Sequence, residues 1–361
     1  MKIAPIIEAL EKVQGKIQYR LIHTGQHYDK KMSSSFFEEL GIPDPHVNLE
    51  VGSGTQAQQT ARIMERYEAL LLKEPSDWVL VVGDVTSTMA CSIAAKKLGM
   101  GVIHVEGGIR SGDISMPEEI NRMVTDSITD VFYTTSEVAN ENLRKLGHDN
   151  DKIRFVGNTM IDTLLKNKAR LKKPAIWDEI GLKEKKYIVM TLHRPANVDE
   201  EAKLKSLIDE IIKGAKGMPV VFPVHPRTAK ILKGIGVISD NLYMIEPLGY
   251  LTFNYLVQNA FAVITDSGGI TEETTVLGVP CLTLRDNTER PETITLGTNE
   301  LVGTNPENIK PFMDKLLRGE WKKGTVPPLW DGHTAERIVQ DLVEEIRQKE
   351  ISKKAEVLRQ K

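Results

Sequence analysis

The feature that most constrains this chain is a rhythm. Short β-branched runs, each closed by Gly, Asp, His or Glu, alternate with longer stretches of helical periodicity. The runs predict strands at Ile17 to Thr24, Trp78 to Val82, Val102 to Val105, Val131 to Thr134 and Ile153 to Val156. A second series follows at Tyr187 to Leu192, Val220 to Val224, Leu242 to Ile245, Ala262 to Thr265 and Cys281 to Leu284. Near-continuous apolar strands separated by helices belong to parallel sheets covered on both faces. Two such series predict an α/β protein of two Rossmann-like, doubly wound domains. The Lys-rich stretch 166–186, with Pro174 and Trp177, marks the boundary. The expected domains are 1–165 and 166–334, with a long charged helix at 335–361 completing the first.

The front of the chain departs from the rhythm. Ile3, Ile6, Ile7, Leu10 and Val13 fall at helical spacing, so the sequence opens inside an amphipathic helix. A doubly wound domain normally opens with a strand feeding that helix. The expectation is therefore that the first strand is missing from this chain.

Charge and cysteine usage narrow the partners. Lys and Arg total 47 against 50 Asp and Glu, a net charge of -3, so a general polyanion-binding surface is not implied and no nucleic-acid partner is expected. Cys91 and Cys281 lie far apart in apolar runs, the usage of a reducing compartment, which points to the cytoplasm. No apolar run approaches the roughly 18 residues of a membrane span, and no secretory leader is expected.

In open parallel sheets, ligands bind beyond the carboxyl ends of the strands. Those ends carry ionisable groups almost throughout: Gln26-His27, Asp84, Glu106 with Arg110, His193-Arg194, His225 and Asp266. Ser267-Gly-Gly-Ile-Thr-Glu-Glu273 joins a strand to a helix, and two glycines there open backbone N–H groups and the positive helix end to an anion such as a diphosphate. The same residues also read as a helix cap and tight turn. Neither dinucleotide nor P-loop glycine spacing is present, which argues against a nicotinamide cofactor and Walker-type ATP binding. Arg285-Asp-Asn-Thr-Glu-Arg-Pro-Glu292 offers two arginines suited to a phosphate, or a solvated ion-pair loop. Asp84, Glu106 and Glu118 form a candidate acid/base set in the first half, although Pro117-Glu-Glu also reads as helix-start grammar. No grouping has the spacing of a metal site, and His104 reads as a strand-interior residue.

Taken in order, these motifs resemble the non-hydrolysing UDP-N-acetylglucosamine 2-epimerases over nearly the whole chain. The marks are Gly83-Asp84, His104-Val-Glu-Gly-Gly-Ile-Arg110, Pro117-Glu-Glu-Ile-Asn-Arg122, Gly157-Asn-Thr159, His193-Arg194, Pro223-Val-His225, Asp266 to Glu273 and Arg285 to Glu292. The resemblance implies a glycosyltransferase-B-like pair of domains with the active site in the cleft. It also implies reversible conversion of UDP-N-acetylglucosamine to UDP-N-acetylmannosamine, a homodimer, and neither NAD nor metal. UDP is eliminated as the C2 proton leaves, giving a 2-acetamidoglucal, and returns with protonation on the other face. By this likeness Asp84, Glu106 and Glu118 are the acid/base carboxylates and His193 stands near the diphosphate. Ser267, Gly268, Gly269 and Glu273 match the UDP-binding turn and ribose contact, Arg290 a nucleotide-site arginine, Phe253 an aromatic at the uracil, and Lys2 a substrate-site lysine. Gln26 and His225 match a second, regulatory UDP-sugar site.

This sequence departs from the family at three places. The opening strand and Gly-Thr-Arg-Pro-Glu loop are absent, Gly107 stands where bacterial members often carry Ala, and Gln26-His27-Tyr28 replaces Gln-His-Arg. Two other readings share the inventory: a glycosyltransferase-B-type UDP-sugar transferase, and a UDP-sugar binder with little turnover.

Overall fold

Valine and isoleucine runs bury both faces of the strands that form the two principal sheets. The computed structural model describes residues 1–13, 15–25, 37–224 and 226–359. It divides into two units, one comprising Met1–Lys166 with the chain from Pro328 onward, the other Asn167–Pro327. Gln26, His27 and His225 lie outside the described residues.

In the first unit, β1 (Ile22–His23) pairs in parallel with β2 (Val47–Asn48). A separate parallel sheet runs in the order β3 (Trp78–Val82), β4 (Gly101–Val105), β5 (Val131–Thr134) and β6 (Ile153–Phe155). Val79 and Val81 pack on one face against Ile63, Tyr67 and Leu71 of helix Gln56–Lys73. That helix starts with a capping box in which Thr55 and Gln58 satisfy each other's backbone N–H groups. Ile103, Val105, Val131 and Tyr133 share a cluster with Ile6 and Ala9 of helix Ala4–Lys12 and Ala335, Ile338, Val339 and Leu342 of helix Thr334–Arg359. The first and last helices of the chain thus join one core. Asp162 receives the N–H groups of Thr334 and Ala335, at 3.1 and 2.7 Å, and so caps the last helix from a distance in sequence. Trp330 donates to the Thr135 carbonyl at 2.9 Å, so 328–334 packs with this unit.

The second unit is one six-stranded parallel sheet in the order β12-β11-β10-β7-β8-β9. Its strands are β7 (Ile188–Thr191), β8 (Val220–Pro223), β9 (Leu242–Ile245), β10 (Ala262–Thr265), β11 (Cys281–Thr283) and β12 (Asn299–Leu301). The chain winds outward from β7 to β9, then returns to β10 beside β7 and winds the other way. The boundary between β7 and β10 is the topological switch point, where the loops on either side diverge and leave a crevice.

Two expectations change. Of Ile17 to Thr24 only Ile22–His23 is strand, and β2 and β12 were not expected. Val47-Asn48 and Asn299-Glu-Leu301 are too short and polar to show a period-2 or apolar signature, as suits strands at a sheet edge. Among the described residues no helix is long and apolar enough to cross a membrane.

Candidate active site

The carboxyl ends of β3 and β4 place two carboxylates side by side. Val82 pairs with Val105, Gly83 then turns at φ +75°, and Asp84 and Glu106 leave adjacent strands. Glu106 itself has φ +73°, a left-handed conformation that a side-chain-bearing residue adopts at a cost and that clusters at functional sites. Lys2 reaches this point from the start of the chain, its Nζ 2.7 Å from Glu106 Oε2. Arg122 binds Asp84 Oδ2 through Nη2 at 2.6 Å and Nε at 3.1 Å, while Asn121 donates to the Asp84 carbonyl.

Helix Pro117–Ile128 begins with Pro117 in its first turn, followed by Glu118 and Glu119. The structure separates these two acids. Glu119 is buried and accepts from Ser111 N at 3.0 Å, Gly112 N at 3.1 Å and Arg122 at 2.7 Å. Burial alone would raise its pKa, but those N–H groups and Arg122 hold it below the ordinary value. Glu119 therefore fastens the 111–112 loop and orients Arg122. Glu118 is half-buried in the same turn.

In the second unit, His193 follows β7 and Asp266 follows β10, one on each side of the switch point. The fully buried Asp266 carboxylate accepts from the backbone of His193 and Arg194 and from Asn197, and lies 2.8 Å from His193 Nδ1. Burial pushes Asp266 up, but the hydrogen bond and charge of His193, with the surrounding N–H groups, hold it down as an anion. Because Nδ1 faces this carboxylate, the imidazole is oriented with Nε2 available to a ligand, and the side chain is 61% exposed.

Ser267 occupies the N-cap of helix Gly268–Leu277 without a side-chain capping bond, so the hydroxyl does not do what the capping alternative requires. A Cβ on Gly268 would meet Glu289 Oε1 at 2.7 Å. A side chain at 268 would push that carboxylate away from the helix start. Although burial opposes ionisation, Arg285 (2.6 Å) and then Arg290 hold Glu289 down to about 2. Arg290 Nε also lies 2.6 Å from Glu272. Glu273 is buried, accepts from Tyr250 Oη at 2.8 Å and Asn254 Nδ2 at 3.4 Å, and is pushed up to about 7 by burial. Phe253 is half-buried against the core containing Leu256 and Val257.

Lys2, Asp84 and Glu106 thus converge in one unit, with Glu118 on the helix that supplies Arg122. His193 gathers at the switch point of the other, where Ser267, Gly268 and Gly269 begin the helix whose next turn holds Glu273. Asp266 stood among the strand-end groups and Arg122 within a motif in the sequence, but neither was assigned a role there. Arg122 is signalled only by its i,i+4 spacing from Glu118, and Asp266 by its place at a strand end.

A family model described as UDP-N-acetylglucosamine 2-epimerase matches residues 8–343. A Methanocaldococcus jannaschii UDP-N-acetylglucosamine 2-epimerase is 41% identical over 355 residues, covering 95% of both chains. The crystal structure of M. jannaschii UDP-GlcNAc 2-epimerase in complex with UDP-GlcNAc and UDP is similar with a TM-score of 0.84 at 41% identity, covering 95% of this chain and 96% of that one. A Pseudomonas aeruginosa UDP-2,3-diacetamido-2,3-dideoxy-D-glucuronate 2-epimerase is 41% identical over 287 residues, 78% of this chain and 79% of the relative.

Proposed function

The chain belongs to the UDP-N-acetylglucosamine 2-epimerase family, and we propose that it interconverts UDP-N-acetylglucosamine and UDP-N-acetylmannosamine by inverting C2. The observation that carries this reading is the pair Asp84 and Glu106 on adjacent strand ends, each beside its own cation, Arg122 and Lys2. Inversion at a carbon bearing hydrogen needs a proton removed from one face and one delivered to the other, and two positioned carboxyl groups can do both. One carboxylate takes the C2 proton, the C–H electron pair becomes the C1=C2 double bond, and the C1–O bond breaks to release UDP. Addition of UDP back to C1, with a proton placed on the opposite face of C2, completes the reaction. Glu118 is the third carboxylate of this set. The Ser267-Gly268-Gly269 helix start, His193 and Arg290 hold the diphosphate, Glu273 the ribose and Phe253 the uracil. UDP kept bound re-adds without a bimolecular encounter.

The test is incubation with UDP-N-acetylglucosamine in heavy water, followed at C2 by NMR. Deuterium at C2 together with the manno epimer is expected. A chain that produces neither, yet binds UDP by calorimetry, would be a nucleotide-sugar binder. Sugar transfer to an acceptor with C2 untouched would make it a transferase. The P. aeruginosa relative favours one second reading, the same inversion on a diacetamido-glucuronate sugar, and an assay with that substrate separates the two.

The two cysteines are free and buried, which suits the reducing cytoplasm. Ile120 and Met123 are exposed on helix Pro117–Ile128, as is Ile114 in the loop before it, and this exposed apolar surface supports a homodimer. Sedimentation equilibrium should give twice the chain mass, and Ile120→Glu with Met123→Glu should shift it toward monomer.

A further inference from the structure

His104 is the penultimate residue of β4 and is completely buried, yet both ring nitrogens are engaged. Nε2 is 2.8 Å from the Gly83 carbonyl, and Nδ1 is 2.7 Å from Asp126 Oδ1. A carbonyl only accepts, so Nε2 carries a proton. Asp126 is also fully buried, and its other oxygen receives Gly108 N at 3.0 Å and Arg110 Nη1 at 2.7 Å. An oxygen taking two donors, one of them a guanidinium, favours the ionised carboxylate and hence Nδ1 as a donor. The arrangement therefore favours a charged pair. Burial alone would lower the His104 pKa, but Asp126, the Gly83 carbonyl and the charge of Glu106 raise it, while for Asp126 His104 and Arg110 outweigh burial. His148, whose ring contacts Phe132, is lowered chiefly by burial and also feels Asp126 and Arg110.

The placement of these bonds is specific. His104 grips the carbonyl one residue before Asp84, and Asp126 grips the amide two residues after Glu106. Asp126 itself lies on the helix that carries Glu118 and Arg122. Gly107 makes the approach possible, because a Cβ there would meet Phe132 Cδ1 at 2.7 Å and Asp126 Oδ1 at 3.5 Å. We propose that the buried His104–Asp126 pair is a positioning element for proton transfer, setting the register between the Asp84 and Glu106 carboxylates without touching substrate.

This rests on the epimerase reading and sharpens it. Two-faced proton transfer tolerates little error in the relative position of the two groups, since misplacement on the order of 1 Å costs about 100-fold in rate. Loosened register should favour return of the proton to the face it left. Deuterium then enters the starting sugar without inversion. The experiment measures C2 deuterium in unepimerised substrate and in epimer, in heavy water, for wild type, His104→Gln and the isosteric Asp126→Asn, with UDP affinity and thermal melting alongside. His104→Gln should lower kcat by about 10- to 100-fold, leave KM and UDP affinity within about threefold, and raise the ratio of uninverted to inverted deuterated sugar. Asp126→Asn should move both quantities the same way by less. If His104→Gln fails to fold, Asp126→Asn decides the matter. A folded variant with unchanged kcat, or with kcat lowered and the ratio unchanged, overturns the positioning role. If the wild type itself exchanges no deuterium, it is the epimerase reading that fails.

Discussion

Three buried carboxylates from the two units respond to burial in opposite ways. Glu119 and Asp126 in the first unit are held below their ordinary values, whereas Glu273 in the second is pushed up to about 7. All three are 3% exposed or less, so withdrawal from water does not separate them. Their partners do. Glu119 meets Arg122 and two backbone N–H groups, and Asp126 meets His104 and Arg110. Tyr250 and Asn254, which donate to Glu273, are both neutral. Full charges stabilise a buried anion, while neutral donors offset desolvation only in part. Cationic partners thus hold Glu119 and Asp126 below their ordinary values despite burial. Helix Gly268–Leu277 keeps one that takes up and loses a proton near neutrality.

The largest effect that tests this contrast is on rate. Glu106→Gln or Asp84→Asn should lower C2 exchange by about 10²- to 10⁴-fold, the usual loss on removing a general acid or base. Calorimetric UDP affinity should stay within about threefold, because the residues proposed to hold the nucleotide lie in the second unit. A parallel loss of UDP affinity would break the division of labour.

Next comes pH. The folded-state pKa of Glu273 lies above the unfolded value of 4.5, so the folded protein binds the extra proton between these values. Stability should therefore fall as pH rises from about 4.5 to 7, by about 3 kcal/mol, since each tenfold gain in proton affinity on folding is worth about 1.4 kcal/mol. Glu119 and Asp126 work in the other direction: their contribution is present above the ordinary carboxylate range and is lost as pH falls through their lowered values. Urea unfolding of one variant that keeps only Trp177 and Trp321, in the second unit, and of another that keeps only Trp78 and Trp330, in the first, reads the two trends separately. Glu273→Gln should flatten the neutral slope and leave the acid limb in place.

Smaller effects sharpen the same comparison. Gly268→Ala should weaken UDP binding, because the new methyl displaces the end of the Glu289 side chain that Arg285 holds beside the helix start. Isothermal titration against UDP checks it, and wild-type affinity would show that the placement of Glu289 does not matter to the anion. Glu119→Gln should cost about 1–3 kcal/mol of stability by disturbing a buried, charged hydrogen-bond set. Glu118→Gln should leave the melting curve almost unchanged and act on rate instead.

Much of the site was legible because its residues sit where strand grammar ends. Asp84, Glu106, His193 and the Ser267-Gly-Gly turn all follow apolar runs whose length and composition announce parallel strands. Arg122 and Glu119 were less visible, since acids and an arginine in a helix are ordinary surface composition. Nothing local distinguishes Glu118 from Glu119. Only the folded loop at Ser111 and Gly112 binds one of them. His104 read as strand interior and is interior. Its pairing was hidden because the partner, Asp126, comes from a helix 22 residues away.

Local periodicity was enough to establish the alternation of strand and helix and the strands of the two larger sheets, since these depend on neighbours two to four positions apart. The motifs along it were enough to identify the family. Strand order, the meeting of His193 and Asp266 at the switch point, and the partners that set each buried charge required the tertiary structure. Those properties depend on groups brought together from distant parts of the chain, and a carboxylate's ionisation is decided by whether a cation or a neutral donor arrives beside it.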